Sequence, residues 1–222
     1  MGDPRTPGTG KARAADGRVA GRRGQATRQR LLDAMSAAVA EGRYRDLTVV
    51  DVSRRAETSP ATFYQYFPDI ESAVLSLLDE LTDSGGHRLR TLVTEASWEG
   101  DSAAKGLAHG FMAFFHEHGN LLRVCDLAAL EGDDRFRQLR TRLFNGVFLA
   151  LQDLAHEARA TGEIPQESSP GAIASVLTTM LAHVSAHQPG FEAWGVSSTE
   201  LAETMASVIE RSMHWNRSDL GS

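Results

Sequence analysis

Apolar side chains recur at helical spacing from about Gln25 to Glu41. Leu32, Met35 and Val39 share one stripe with Leu31 beside it, which predicts a helix that Gly42 ends. Thr48, followed three residues later by Asp51, reads as a capping box opening a short helix through Ala56, with Val49, Val52 and Ala56 inward. Ser59-Pro60 supplies a capping hydroxyl and then a proline suited to the first helical position, so a second short helix is expected over 60–66. Pro68 interrupts it and Asp69 caps the next. There Ile70, Val74, Leu77, Leu78 and Leu81 form an inward face whose continuation Gly85-Gly86 is expected to weaken or bend.

Further helical periods follow. One covers about 102–117 with Leu107, Phe111, Phe114 and Phe115, and a shorter one covers about 120–130. The strongest runs over 133–160, with Phe136, Leu143, Val147, Leu151 and Leu154 on one side. After the boundary at Gly162–Pro165, two last helices are expected at 171–187 and 199–215, separated by the Pro/Gly-containing stretch 189–198. Strand-like alternation is absent. The expected class is all-α with about nine helices: a flexible arm (1–24), a three-helix unit (25–68), a larger helical domain (69–218) and a tail (219–222).

Composition sharpens this picture in two places. Hydrophobic residues make up 41% of the 222, enough for a packed core, and the single cysteine, Cys125, excludes an intrachain disulfide framework. The formal net charge of −6 hides an asymmetry. Residues 1–70 carry 12 basic against 8 acidic side chains and the remainder 11 against 21, so a polyanion has a local target at the front end. The arm contributes Arg5, Lys11, Arg13, Arg18, Arg22 and Arg23. With no apolar run of membrane-crossing length and no apolar signal-peptide core, a soluble cytoplasmic protein without a membrane partner is expected.

Three short helices with a tight turn between the second and third resemble a helix-turn-helix. The stretch Thr48-Val49-Val50-Asp51-Val52-Ser53-Arg54-Arg55-Ala56, followed by Ser59-Pro60-Ala61-Thr62-Phe63-Tyr64-Gln65-Tyr66-Phe67, resembles the DNA-binding signature of the TetR (tetracycline-repressor) family. The resemblance covers about residues 25–80 and implies that the third helix enters the major groove. It nominates Ser59, Ala61, Thr62, Gln65 and Tyr66 as reader positions, with Tyr64 and Tyr66 offering hydroxyls to phosphate. Thr48 would order helix N–H groups that face phosphate, besides acting as a cap. Arg54 and Arg55 suit either phosphate contact or a solvated surface, and Arg28, with Arg22 and Arg23, would follow the duplex. Phe63 and Phe67 are expected to lock the small domain. Two positions depart from the family pattern. Glu57 stands where glycine is usual, so it must accept an unfavourable backbone region or change the turn. Ile70 stands where a phosphate-contacting lysine is common.

The resemblance further implies a ligand-responsive repressor, binding a palindromic or pseudopalindromic operator as a homodimer and released by a small, mostly apolar inducer. The last two helices would pair with their counterparts, which makes Met180, Val184, Met205, Val208 and Ile209 interface candidates, although burial inside one subunit explains the same stripe. Phe111, Phe114, Phe115, Val124, Phe144, Phe148, Met180 and His183 form a candidate ligand set, aromatics supplying apolar area and His183 orienting a polar group; the same residues suit an ordinary core. Trp98 and Trp194 suit entrances or satellite cores. The partners expected are therefore double-stranded DNA, a second copy of the chain and a small effector.

Other functions find less support. Neither a phosphate loop nor a nucleophile–base constellation is discernible, and His116 and His118 lie too close in sequence to share a helical face for a metal, so an enzyme is not expected and neither is a cofactor. His109, like these two, suits a structural or surface role. Cys125 reads as an unreactive buried thiol. An architectural DNA-binding or protein-interaction protein without an inducer is the alternative.

Overall fold

The computed structural model describes residues 21–42, 44–98 and 102–214. Arg5, Lys11, Arg13 and Arg18 of the expected arm, and the expected tail 219–222, lie outside them. Nine α-helices and one 3-10 turn are present among the described residues, without strands. The chain divides into two compact units between Leu77 and Leu78.

In the first unit α1 (Arg22–Ala40) buries Leu31, Leu32, Ala34, Met35, Ala38 and Val39, the anticipated stripe. It begins three residues earlier than expected, so Arg22–Gly24 belong to its first turn and not to an arm. Gly42 takes a φ of 75° just past its end. A 3-10 turn, Tyr44–Asp46, leads to α2 (Val49–Arg55). Its capping box is complete: the Asp51 amide donates to Thr48 Oγ1 at 3.2 Å, and the Thr48 amide donates to Asp51 Oδ2 at 3.3 Å. Between α2 and α3 (Pro60–Tyr64) lies Glu57 with φ 52°, the one non-glycine residue in the left-handed region among those described. Of the two outcomes expected for Glu57, it is the unfavourable backbone region that its side chain accepts.

Helix α3 is capped by Ser59, whose Oγ accepts from the Thr62 amide at 3.1 Å. It is two residues shorter than expected. Gln65 and Tyr66 form tightened i→i+3 bonds to Thr62 and Phe63, because the approach to Pro68 disfavours continued α geometry. Phe63 is 0% exposed and meets Phe67 at 5.6 Å between ring centroids. Burial of such a ring contributes about 1.5–3 kcal/mol, more than a five-residue helix gains from its own hydrogen bonds.

Helix α4 (Ile70–Thr94) starts from Asp69, whose Oδ1 accepts from the Ser72 amide at 2.7 Å. It contributes residues to both units. It runs as one helix through Gly85-Gly86. A Cβ at Gly85 would stand 2.8 Å from the Phe114 ring, and one at Gly86 3.3 Å from the Leu143 carbonyl oxygen. The glycines therefore admit close neighbours instead of ending the helix.

The second unit is built on α5 (Ser102–Leu130), which packs against α6 (Asp134–Thr161), α7 (Pro170–Ala186) and α9 (Ser198–Met213). The two helices expected at 102–117 and 120–130 are one. The cost of Gly119, about 1 kcal/mol, is outweighed by burial of Leu122, Val124 and Cys125 beyond it. The connection after α7 holds a one-turn α8 (Gln188–Glu192), which Pro189 in its first turn favours. Phe144 stacks on Phe111 at 6.3 Å and on Phe115 at 6.2 Å. Cys125 is buried, its Sγ–H donates to the Phe136 carbonyl at 3.5 Å, and burial pushes its thiol up to about 12, leaving it inert.

Gly85→Ala is expected to destabilise the protein by about 1–3 kcal/mol through overpacking against Phe114. Gly106→Ala, at an exposed helical position with nothing near its Cβ, is expected to stabilise it by about 0.5–1 kcal/mol. Thermal unfolding midpoints of the two variants should move in opposite directions. In the turn, Glu57→Gly should leave the midpoint unchanged or higher, whereas Glu57→Val should lower it by an amount corresponding to about 1–2 kcal/mol, since a β-branched side chain fits φ 52° poorly.

Candidate functional site

Adjacent helical residues point about 100° apart, so burying Phe63 decides what α3 presents outward. Ser59, Ala61, Tyr64 and Gln65 are exposed, and Thr62 and Tyr66 are half-buried. Tyr64 stands 55% exposed with its ring edge-on to Phe63 at 5.9 Å. One surface thus combines a methyl, an amide and a phenol, the chemistry that major-groove base edges and phosphates accept.

The cations nearby differ in freedom. Arg54 donates from Nη2 to Asp51 Oδ1 at 2.7 Å but remains largely exposed. Arg55 is held by a two-pronged pair to Glu41 at 2.8 and 2.9 Å, which raises its pKa and commits it to joining α1 to α2. Arg28 lies over the Phe67 ring at 5.4 Å. Thr48 is exposed but engaged in its capping box, and Ile70 opens α4 half-buried.

In the second unit the expected interface residues separate by face. Met205 and Ile209 lie in the inward row of α9 with Ala202, Ala206 and Met213 and are buried in the core. They offer nothing to a partner: Val208, one position from Ile209, is rotated outward and exposed. Met180 and Val184 are half-buried on α7. Val176, 64% exposed, precedes them at four-residue spacing on the same helix.

A cavity of about 620 Å³ opens where α5, α6 and α7 come together, and a recess of about 30 Å³ shares its wall. Of the expected ligand set, Phe115, Phe144 and His183 line one or both. Phe111, Phe114 and Val124 are core residues, fully or nearly fully buried, while Phe148 and Met180 are half-buried away from these walls. The aromatic spacing that nominated them marks the core itself, which the pocket borders. The wall also carries Arg123, Arg137, Arg140 and Asp126, which an apolar pattern does not reveal. His183 and His187 stack at 4.1 Å.

The remaining candidates have local roles. Trp98 donates from Nε1 to the Val93 carbonyl at 2.9 Å, while Trp194 is exposed beside Phe191. His118 packs edge-on to Phe114, and burial lowers its pKa against the opposing pull of Glu117. Among the described residues no group of three or more His, Cys, Asp or Glu is arranged to hold a metal ion, and no helix is long and apolar enough to cross a membrane.

Comparison with known proteins agrees with this architecture. Residues 89–215, more than half of the chain, match the family described as Tetracyclin repressor-like, C-terminal domain. The HTH-type transcriptional regulator EthR of Mycolicibacterium smegmatis is 26% identical over 170 residues, which span 74% of this chain and 75% of EthR. The transcriptional regulator FadR from Bacillus subtilis, solved with stearoyl-CoA, superposes with a TM-score of 0.65 at 17% identity, covering 84% of this chain and 98% of that one. A SmeT–triclosan complex superposes with a TM-score of 0.60 at 15% identity, covering 83% and 90%. The chain belongs to the tetracycline-repressor-like family of transcriptional regulators, not to a family of enzymes.

Proposed function

We propose that the chain acts in the cytoplasm as a homodimeric repressor that reads a palindromic or pseudopalindromic operator with α3 and is released by a small, mostly apolar inducer. The outward face of α3 over buried Phe63 carries this reading. Gln65 pairs with a base edge, Ala61 meets a thymine methyl, and Tyr64 and Tyr66 donate to phosphate, with Ser59 and Thr62 beside them. Arg28, Arg54 and capped Thr48 add backbone contacts. Ile70 supplies no cation, so the backbone contact a lysine would make there is missing. One such reader has a small footprint, and two related by symmetry read two half-sites.

Residues 25–68 are the DNA-binding part in this reading, and 69–218 bind the effector and the second subunit. Val176, Met180 and Val184 on α7, together with Val208 on α9, form the apolar strip that a second copy covers. The cavity among α5, α6 and α7 takes the inducer, its volume lying within the range of about 300–1,000 Å³ usual for small-molecule sites. FadR and SmeT, both of this fold, were solved with small molecules, which supports an effector here. Occupancy of a promoter excludes polymerase without a dedicated activation surface, which favours repression.

Selection of bound duplexes from a random library should return a symmetric site; recovery of random sequence would sink the operator reading. On the selected duplex, Tyr64→Phe should weaken binding by about tenfold or more, since each of the two readers loses a hydrogen bond to an anionic phosphate. Gln65→Ala should relax preference at one base position in each half-site. Val176→Glu combined with Val208→Glu should convert the dimer to monomer in sedimentation velocity and abolish tight operator binding while leaving helical content unchanged.

A further inference from the structure

The cavity among α5, α6 and α7 is more basic than its surroundings. From residue 71 onward the chain carries 11 basic and 21 acidic side chains, yet three arginines, Arg123, Arg137 and Arg140, meet at this wall with Asp126 as the carboxylate lining it. Two of the three are already paired. Arg137 donates to Asp134. Arg140 donates from Nε to Asp126 Oδ1 at 2.6 Å, and its guanidinium lies over the Phe144 ring at 5.6 Å. Arg123 has no carboxylate partner among the described residues.

Arg123 precedes Asp126 by three positions on α5, so the two share a helical face, and Asp126 draws Arg140 from α6 toward that same face. Arg140 uses Nε for Asp126, which leaves the N–H groups of its two terminal nitrogens for another acceptor. Apolar surface adjoins these cations: Phe115 and Leu122 are buried in the wall, while Leu127 and Leu130 stand at the cavity 41% and 84% exposed. A neutral apolar occupant would cover a guanidinium without compensating it, and a cationic one would be repelled. Only a molecule with an anionic head and an apolar body answers both parts of the wall.

We propose that the effector is an amphipathic organic anion, its carboxylate held by Arg123 with the terminal N–H groups of Arg140 and its apolar body laid against Phe115, Leu122, Leu127 and Leu130. This rests on the cavity being the effector site, and it adds a charged head to the mostly apolar inducer proposed above. Guanidinium and carboxylate match in a planar two-pronged pair, which a hydroxyl head cannot reproduce.

Decanoate, decanol and decyltrimethylammonium, each below its micelle concentration, test this by titration calorimetry on the full chain, alongside release of the selected operator duplex. Decanoate should bind at least about tenfold more tightly than decanol, and decyltrimethylammonium most weakly. Arg123→Gln should weaken decanoate about tenfold or more and leave decanol unchanged, while Arg123→Lys should be intermediate. Asp126→Asn, which removes the opposing charge, should tighten decanoate several-fold; a purely structural role for the pair would not give opposite signs. Equal affinity for decanoate and decanol, or unaltered decanoate binding by folded Arg123→Gln, overturns the headgroup assignment and leaves the cavity as an effector site. Failure of all three probes to bind overturns both readings. Selective decanoate binding without duplex release supports the anion site and overturns its effector role.

Discussion

Helix α3 depends on one buried ring. Five residues cannot hold helical geometry in water on their own, because nucleation fixes three residues for a single hydrogen bond. The Ser59 cap and Pro60 lower that cost, but placing Phe63 in the core sets the rotation of the helix about its axis. Once Phe63 points inward, Tyr64 and Gln65 have no choice of face. The same ring orders the descent to Phe67, against which Arg28 lies. A change at Phe63 would therefore act on every reader position at once, whereas a change at Tyr64 or Gln65 acts on one contact.

The second unit achieves a comparable effect through close approach. Gly85 and Gly86 let Phe114 and the backbone at Leu143 come nearer to α4 than any side chain would permit, and at Gly110 the Leu92 side chain occupies the space a Cβ would need. Phe144, next to Leu143 on α6, is held between Phe111 and Phe115 by stacking. Its ring also supports Arg140, which is fixed again by Asp126. The aromatic core thus sets the position of a charged group at the cavity, although none of Phe111, Phe114 or Val124 lines it.

What was legible in the sequence was what is encoded within one turn of helix. The caps at Thr48, Ser59 and Asp69 form as their residue types require, the stripe of α1 is buried as its spacing demands, and those of α4 and α6 are buried except for half-buried Ile70, Leu77 and Leu154. What needed a second helix was not legible. Gly85-Gly86 looks like a weak point until Phe114 is seen against it, and the gap between 117 and 120 looks like a boundary until the burial beyond it is known. Met205 and Ile209 could not be separated from Val208 without knowing which side of α9 meets α5, since all three are apolar. The Arg140–Asp126 ion pair at the cavity joins residues 14 apart and carries no local pattern. Hydrophobic spacing found the aromatic core, of which Phe115 and Phe144 also border the cavity or its adjoining recess.

The coupling between effector and operator follows from linkage and does not require a particular pathway. Helix α4 supplies residues to both compact units, so in the proposed mechanism it is the covalent link between the unit that would take the effector and the one that would read DNA. An effector releases DNA only to the extent that it binds the DNA-incompetent arrangement more tightly, and the operator must then weaken effector binding by the same factor. Rigid first-unit packing matters here: Phe63 holds α3 to its supporting helices and the Arg55–Glu41 pair ties α2 to α1, so in the proposed mechanism the unit would move as a body without unmaking its reading face. Release by local melting of α3 would instead require giving up the burial of Phe63, about 1.5–3 kcal/mol, a cost that displacement of the intact unit does not carry.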